Sequence, residues 1–188
     1  MVHSPTTLRS LALGLCLFAC APLVGCGGGT QTPADAPSGG GEGVAVGKAA
    51  PELKVEKVTG SGPASLAEGK GKVVIVDFWA TFCEPCRKSF PAYEELAKKY
   101  GDDLAIIAVS VDDPEDVSND DVKGFAEELG VSFSVLWDKT GGTAKTYDPP
   151  KMPTSYVLDK EGVIRHIHAG YESGEASKID EEVAALLK

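Results

Sequence analysis

Cysteine is scarce, and three of the five cysteines lie in the first 26 residues. If Cys16, Cys20 and Cys26 belong to an N-terminal address segment, Cys83 and Cys86 are left as the only thiols of the rest of the chain. One C-x-x-C pair is not a disulfide framework. The loop it closes is too small to restrain the unfolded chain much, so it suits opening and closing better than stapling. Basic charge is also short: 18 Lys and Arg stand against 28 Asp and Glu, a formal net charge of -10. That balance argues against nucleic acid, whose phosphates need an excess of Lys and Arg. Histidine occurs three times, and only His166 and His168 lie beyond the N-terminal segment, which leaves little for metal ligation. No apolar run is long enough to span a bilayer comfortably, because the longest, Leu11–Val24, has 14 residues.

That run follows the short polar stretch 1–9 with its basic Arg9, the layout of a secretory signal and its h-region. Leu23-Val24-Gly25-Cys26 resembles the lipobox of bacterial lipoproteins, in which the cysteine is acylated after cleavage. The resemblance makes 1–25 a signal peptide and Cys26 the lipidation site, anchoring the chain to a membrane on the extracytoplasmic (periplasmic) side. Residues 26–46, rich in Gly, Pro, Ser and Thr, read as a flexible tether with little to bury.

Residues 47–188 read as one domain. Val73–Trp79 is a β-branched and aromatic run, a buried strand. Phe90, Tyr93, Leu96, Ala97 and Tyr100 recur at helical spacing through 84–100, with Pro91 expected to kink the helix. A strand is predicted at 104–111, then an acidic loop at 112–121 ending in a helix cap at Ser118. Val122, Phe125, Ala126 and Leu129 form the apolar stripe of the next helix. Strands at 134–137, 154–158 and 163–168 follow, the last two joined by the hairpin sequence Asp159-Lys160-Glu161-Gly162, with a helical turn near 143–147 and a final helix near 177–187. The fold class is α/β, a central mixed sheet flanked by helices, with an N-terminal extension.

The chemistry is carried by VDFWATFCEPCRKSFP, residues 76–91. A C-x-x-C between a buried strand and a helix places the first thiol at a helix N-terminus, where free N–H groups and the dipole favour thiolate. The thiolate is the attacking species in disulfide exchange. Cys83 is therefore expected as the exposed nucleophile, and Cys86, one turn in, as the resolving thiol. Pro85 lacks an N–H and pre-sets helical φ.

With Ala50-Pro51-Glu52-Leu53, Gly71-Lys72-Val73-Val74 and Met152-Pro153-Thr154-Ser155-Tyr156-Val157-Leu158-Asp159 in the same order, the chain resembles the thioredoxin superfamily. More closely, it resembles the membrane-tethered TlpA-like or ResA-like branch, over about residues 47–188. The resemblance implies a thioredoxin-like fold and thiol–disulfide oxidoreductase activity without a cofactor beyond the redox-active pair. It implies protein disulfides or dithiols as substrates, apocytochromes awaiting haem among them, and a membrane redox relay as electron donor; a monomer is expected. By the same resemblance Pro153 is held cis beside the cysteines, Met152 offers backbone groups to a substrate strand, Thr154 follows in the same motif, and Asp77 is a proton acceptor for Cys86.

Two departures stand out. Ser89 occupies a position where the ResA-like branch often has glutamate, and Phe82 replaces the commoner tryptophan before the first cysteine. Glu84 places a negative charge near Cys83, which raises the thiol's pKa and leans toward a reductant.

Other readings are weaker. Zinc needs two more ligands than C-x-x-C supplies, and His166 and His168 read as a surface-facing pair. A peroxiredoxin-like thiol peroxidase needs a Thr and a Pro upstream at a spacing that Thr81 does not provide. A non-catalytic tethered binding module leaves the cysteine pair unexplained. The acidic run 112–116 lacks the spacing and glycine of a calcium loop and reads as a solvated charge run.

Overall fold

A computed structural model describes residues 44–188. The stretch expected as signal peptide, the expected lipidation residue Cys26 and most of the expected tether lie outside that range. In chain order the elements are β1 (Glu56–Thr59), β2 (Val73–Trp79), α1 (Cys86–Tyr100), β3 (Leu104–Ser110), α2 (Asn119–Glu128), β4 (Ser134–Trp137), α3 (Gly142–Tyr147), β5 (Thr154–Leu158), β6 (Ile164–Ala169) and α4 (Glu175–Leu186). They build a six-stranded mixed sheet in the order β1-β4-β3-β2-β5-β6. Strands β2, β3 and β4 are parallel, and β1, β5 and β6 are antiparallel to their neighbours. The parallel part needs crossovers, which α1 and α2 provide.

Strand β2 lies between β3 and β5 and is buried along its whole length. Its alternation sorts side chains onto two faces. Val73, Ile75 and Trp79 join a core with Phe90 and Tyr93 of α1, Phe125 of α2, and Ile179 and Val183 of α4. Val74, Val76 and Phe78 join a second core with Leu53, Tyr147 and Tyr156. Asp77 takes the same alternation as the first set and so belongs to the face that α1 covers.

Several local expectations are met closely. Ser118 caps α2 in a capping box, accepting from the Asp121 N–H while the Asp121 carboxylate accepts from the Ser118 N–H. Strands β4 and β5 have their expected bounds. Helix α1 begins at Cys86, two residues later than its apolar periodicity suggested, and runs unbroken through Pro91, whose ring is exposed to solvent.

Three features differ. Strand β1 was not anticipated: Glu-Lys-Val-Thr at a sheet edge has no apolar alternation. It is held by pairing to β4 and by the Lys139–Glu56 ion pair at 2.7 Å. Val44, within the stretch read as tether, is buried in the second core. Just after it, the Gly47 N–H donates to the Ile164 carbonyl at 2.8 Å, so the ordered domain starts before residue 47. His168 is buried, not surface-facing. Its two ring nitrogens meet Glu175 Oε1 and Glu182 Oε2, the latter at 2.6 Å, joining β6 to α4.

Candidate active site

Strand β2 delivers the chain to the site. Past Trp79 the backbone turns: the Cys83 N–H donates to the Ala80 carbonyl at 3.0 Å, and the Cys86 N–H donates to the Cys83 carbonyl at 3.1 Å. Pro85, with φ -62°, occupies the N-cap of α1, and Cys86 is the first helical residue, not one turn in as expected. Cys83 and Cys86 are joined as a disulfide, with Cα atoms 5.3 Å apart. The Cys86 N–H, the first of the helix, also points at Cys83 Sγ from 3.3 Å. A sulfur placed there receives a free helix N–H and the positive end of the helix dipole, the setting that favours thiolate once the bond is opened.

The two sulfurs differ in access, though less than expected. Cys83 is 6% exposed and Cys86 0%. Cys83 is thus recessed in the closed form instead of openly exposed, because the turn that brings its sulfur over the helix end also tucks it against the core residues it clusters with. Access is still one-sided, toward Cys83. Beside it Phe82 projects into solvent at 76% exposure, and Glu84 is exposed. Ser89 is buried and donates its hydroxyl to the Cys86 carbonyl at 3.2 Å.

The segment before β5 flanks the same end of β2. Phe78 pairs with Thr154 in antiparallel register, which brings Met152 and Pro153 level with the start of the active-site loop. The Met152–Pro153 peptide is cis. Pro153 is buried with its carbonyl accepting from the Gly170 N–H at 2.7 Å, and Met152 is half-buried against the core that contains both cysteines. Thr154 is buried, its hydroxyl donating to the Lys151 carbonyl.

Asp77 is fully buried. Burial pushes its carboxyl up to about 7, against hydrogen bonds from Ser155 and Tyr93 that pull it down. Ser155 Oγ donates to Oδ1 at 2.6 Å, and the Tyr93 hydroxyl lies 2.6 Å from Ser155 Oγ and 3.5 Å from Oδ1. Among the described residues Oδ2 has no hydrogen-bond partner, and neither has Trp79 Nε1 two residues along the same face.

Comparison with known proteins places this site in context. Residues 46–167 match the AhpC/TSA family. The chain belongs to the AhpC/TSA family. Over 128 residues it is 41% identical to the thioredoxin-like protein YneN of Bacillus subtilis, covering 68% of this chain and 74% of that one. Over 145 residues it is 37% identical to the thiol-disulfide oxidoreductase ResA of Bacillus thuringiensis, covering 76% and 77%. Among solved structures it is similar to a putative thiol:disulfide interchange protein DsbE from Chlorobium tepidum, with a TM-score of 0.68, 29% identity, and coverage of 77% of this chain and 99% of that one. This member of the family is a thiol–disulfide oxidoreductase of thioredoxin-like fold.

Sequence reasoning missed part of the surroundings. Tyr93 and Ser155, which dress Asp77, lie 62 residues apart in the chain, and only the packing of α1 over β5 brings them together. Asp112, assigned to a solvated acidic run, is 2% exposed. Its carboxylate accepts from the Thr81 N–H at 3.0 and 3.1 Å, the Thr81 hydroxyl at 2.8 Å and the Ser110 hydroxyl at 2.8 Å. The signal available was its place directly after the apolar strand that runs beside β2. Among the described residues no group of three or more His, Cys, Asp and Glu side chains is arranged to hold a metal.

Proposed function

We propose that the chain reduces protein disulfides outside the cytoplasm, held at a membrane by lipid on Cys26. The observation that carries the reading is the access difference across the disulfide: Cys86 is sealed and Cys83 retains surface at a helix N-terminus. In the reduced form the Cys83 thiolate attacks one sulfur of a partner disulfide and forms a mixed disulfide, releasing the partner's other sulfur as thiolate. Cys86 then gives up its proton, with the bare Oδ2 of Asp77 as acceptor, and attacks Cys83 Sγ. The partner leaves as a dithiol, and two electrons have moved from the Cys83–Cys86 pair to it. The chemistry uses no cofactor beyond the pair itself, and the chain acts as a monomer.

The lipobox-like run 23–26 and the apolar stretch before it support membrane attachment, kinship with proteins named thiol-disulfide oxidoreductase ResA supports exchange at the cysteine pair, and the Glu84 charge beside Cys83 favours the reducing direction. Regeneration is assigned to a membrane redox relay. Substrates are assigned to exposed protein disulfides, including the C-x-x-C of apocytochromes before haem attachment.

The test is a trap. Cys86→Ser in cells is expected to accumulate mixed disulfides through Cys83 that dithiothreitol releases, and Cys83→Ser to accumulate none. Equal absence of adducts in both variants, with both folded and exported, overturns the reading in favour of a binding module. The purified wild-type domain is also expected to consume peroxide no faster than free dithiol; turnover at peroxidase rates overturns the reading in favour of a thiol peroxidase.

A further inference from the structure

The peptide entering Cys83 is fastened from one side by a single buried side chain. Asp112 sits at the end of β3, where the Val111 N–H donates to the Trp79 carbonyl at 2.9 Å, so the two strands leave the sheet together. Its own backbone is fixed as well: its carbonyl accepts from Trp137 Nε1 at 2.9 Å, and its N–H donates to Ser110 Oγ at 3.2 Å. On the carboxylate, Oδ1 accepts from the Thr81 N–H and hydroxyl, and Oδ2 accepts from the Thr81 N–H and the Ser110 hydroxyl. Every partner is a donor, which is the set an ionised carboxylate requires. Thr81 precedes Cys83 by two residues, so a nearly buried negative charge is held within about 10 Å of the Cys83 backbone.

We propose that Asp112 is a positioning residue for the dithiol: its carboxylate clamps the Thr81 end of the active-site loop and holds there a negative charge that tips the Cys83–Cys86 couple toward the disulfide. The inference rests on thiol–disulfide exchange at that pair. A like charge disfavours the Cys83 thiolate, and whatever disfavours the thiolate disfavours the reduced form. The donors around Asp112 partly mask the charge, so the net bias depends on both the carboxylate and its hydrogen bonds. Other ionisable groups around the pair remain in place in the variants below: Glu84 in the loop, Asp77 on β2, and Arg87 in the first turn of α1, ion-paired to Glu128 at 2.7 Å.

Two variants separate this from a role in folding alone. Asp112→Asn keeps the shape and removes the charge. It is expected to shift the equilibrium with a glutathione buffer about tenfold toward the dithiol, or about 30 mV, and to move the pH profile of Cys83 alkylation to lower pH. Thr81→Val keeps the charge and removes one masking hydroxyl. It is expected to shift the same equilibrium about threefold the other way, toward the disulfide. Opposite signs are the signature, because a purely structural contact gives a lower unfolding midpoint in both variants with no change in equilibrium or profile. Wild-type equilibria in both folded variants, or shifts of the same sign, overturn the proposal. If Asp112→Asn does not fold, Thr81→Val decides alone: a shift toward the disulfide supports the proposal, and no shift overturns it. A wild-type protein that shows no reversible Cys83–Cys86 couple in this buffer sinks the underlying functional reading instead.

Discussion

Ser155 Oγ donates to Asp77 Oδ1 at 2.6 Å from the neighbouring strand, and the other oxygen of that carboxylate has no hydrogen-bond partner among the described residues. Tyr93, on the helix above, completes a short chain of hydroxyls that runs into Oδ1 and stops there. A buried acid half satisfied in this way destabilises its charged form.

The pH dependence of stability follows from that acid. Burial raises the Asp77 carboxyl from 3.8 to about 7. Below about pH 3 the group is protonated in both the folded and the unfolded chain. Between about pH 4 and 7 the unfolded chain releases the proton and the folded one keeps it, so stability falls as pH rises, and the loss is complete above the folded value. Asp77→Asn removes this dependence. Its stability relative to wild type is expected to improve by about 2–3 kcal/mol between pH 5 and pH 8, measured by urea unfolding at both values. The same variant is expected to slow release of the mixed disulfide at neutral pH while leaving its formation by Cys83 nearly unchanged. A relative stability that stays flat across this range counts against the raised carboxyl.

His168 gives a second stability prediction. Its ring is buried with both nitrogens on carboxylates of α4, while Glu182 also meets His166 Nδ1 at 3.2 Å. His168→Leu leaves Glu175 and Glu182 facing each other without a donor between them, and breaking such a partly buried arrangement from one side is expected to cost about 2–4 kcal/mol. Adding Glu175→Gln and Glu182→Gln is expected to recover most of that loss, because it removes the stranded charges. Chemical unfolding of the single and triple variants decides the matter, and a single variant as stable as wild type refutes the assignment.

These examples mark where the sequence was readable. Strands β2 and β5 stand out because β-branched and aromatic runs have few other uses, and α2 because its cap and stripe agree with each other. The Cys83–Cys86 pair was visible because strand, C-x-x-C and helix are contiguous, so local order alone places the sulfurs at a helix end. What was hidden depends on distant partners. Asp112 looks like its acidic neighbours until the Thr81 loop folds over it. His168 looks like the outer half of a strand pair until α4 packs across β6. Glu56–Thr59 becomes a strand by pairing with β4, not by its own pattern.

Membrane attachment has its own test, one that does not involve the folded domain. With Cys26 as the acylated residue, cells fed labelled palmitate are expected to label the wild-type protein, and Cys26→Ser to abolish the label and release the domain from the membrane fraction. Acyl chains together hold a protein at a bilayer through the apolar area they bury. A Cys26→Ser protein that stays in the membrane fraction rules out lipid as the anchor. Because the thiol pair lies in the described domain and Cys26 outside it, this variant is expected to retain wild-type disulfide reduction in detergent-free extracts.

Phe82 separates partner recognition from thiol chemistry. A phenylalanine at 76% exposure contributes little to the fold, yet it stands one residue before Cys83, the sulfur that keeps some surface. Burying such a ring against a partner is worth about 1.5–3 kcal/mol, or roughly a tenfold to hundredfold change in affinity. Phe82→Ala is therefore expected to raise KM for a folded protein disulfide by at least about tenfold, with kcat little changed. Unfolding free energy is expected to move by less than about 0.5 kcal/mol. Reduction of the Cys83–Cys86 bond by dithiothreitol, a reagent too small to use the ring, is expected to proceed at the wild-type rate. Equal losses with the small reagent and the protein substrate mean that Phe82 shapes the cysteine loop itself, and the recognition role then fails.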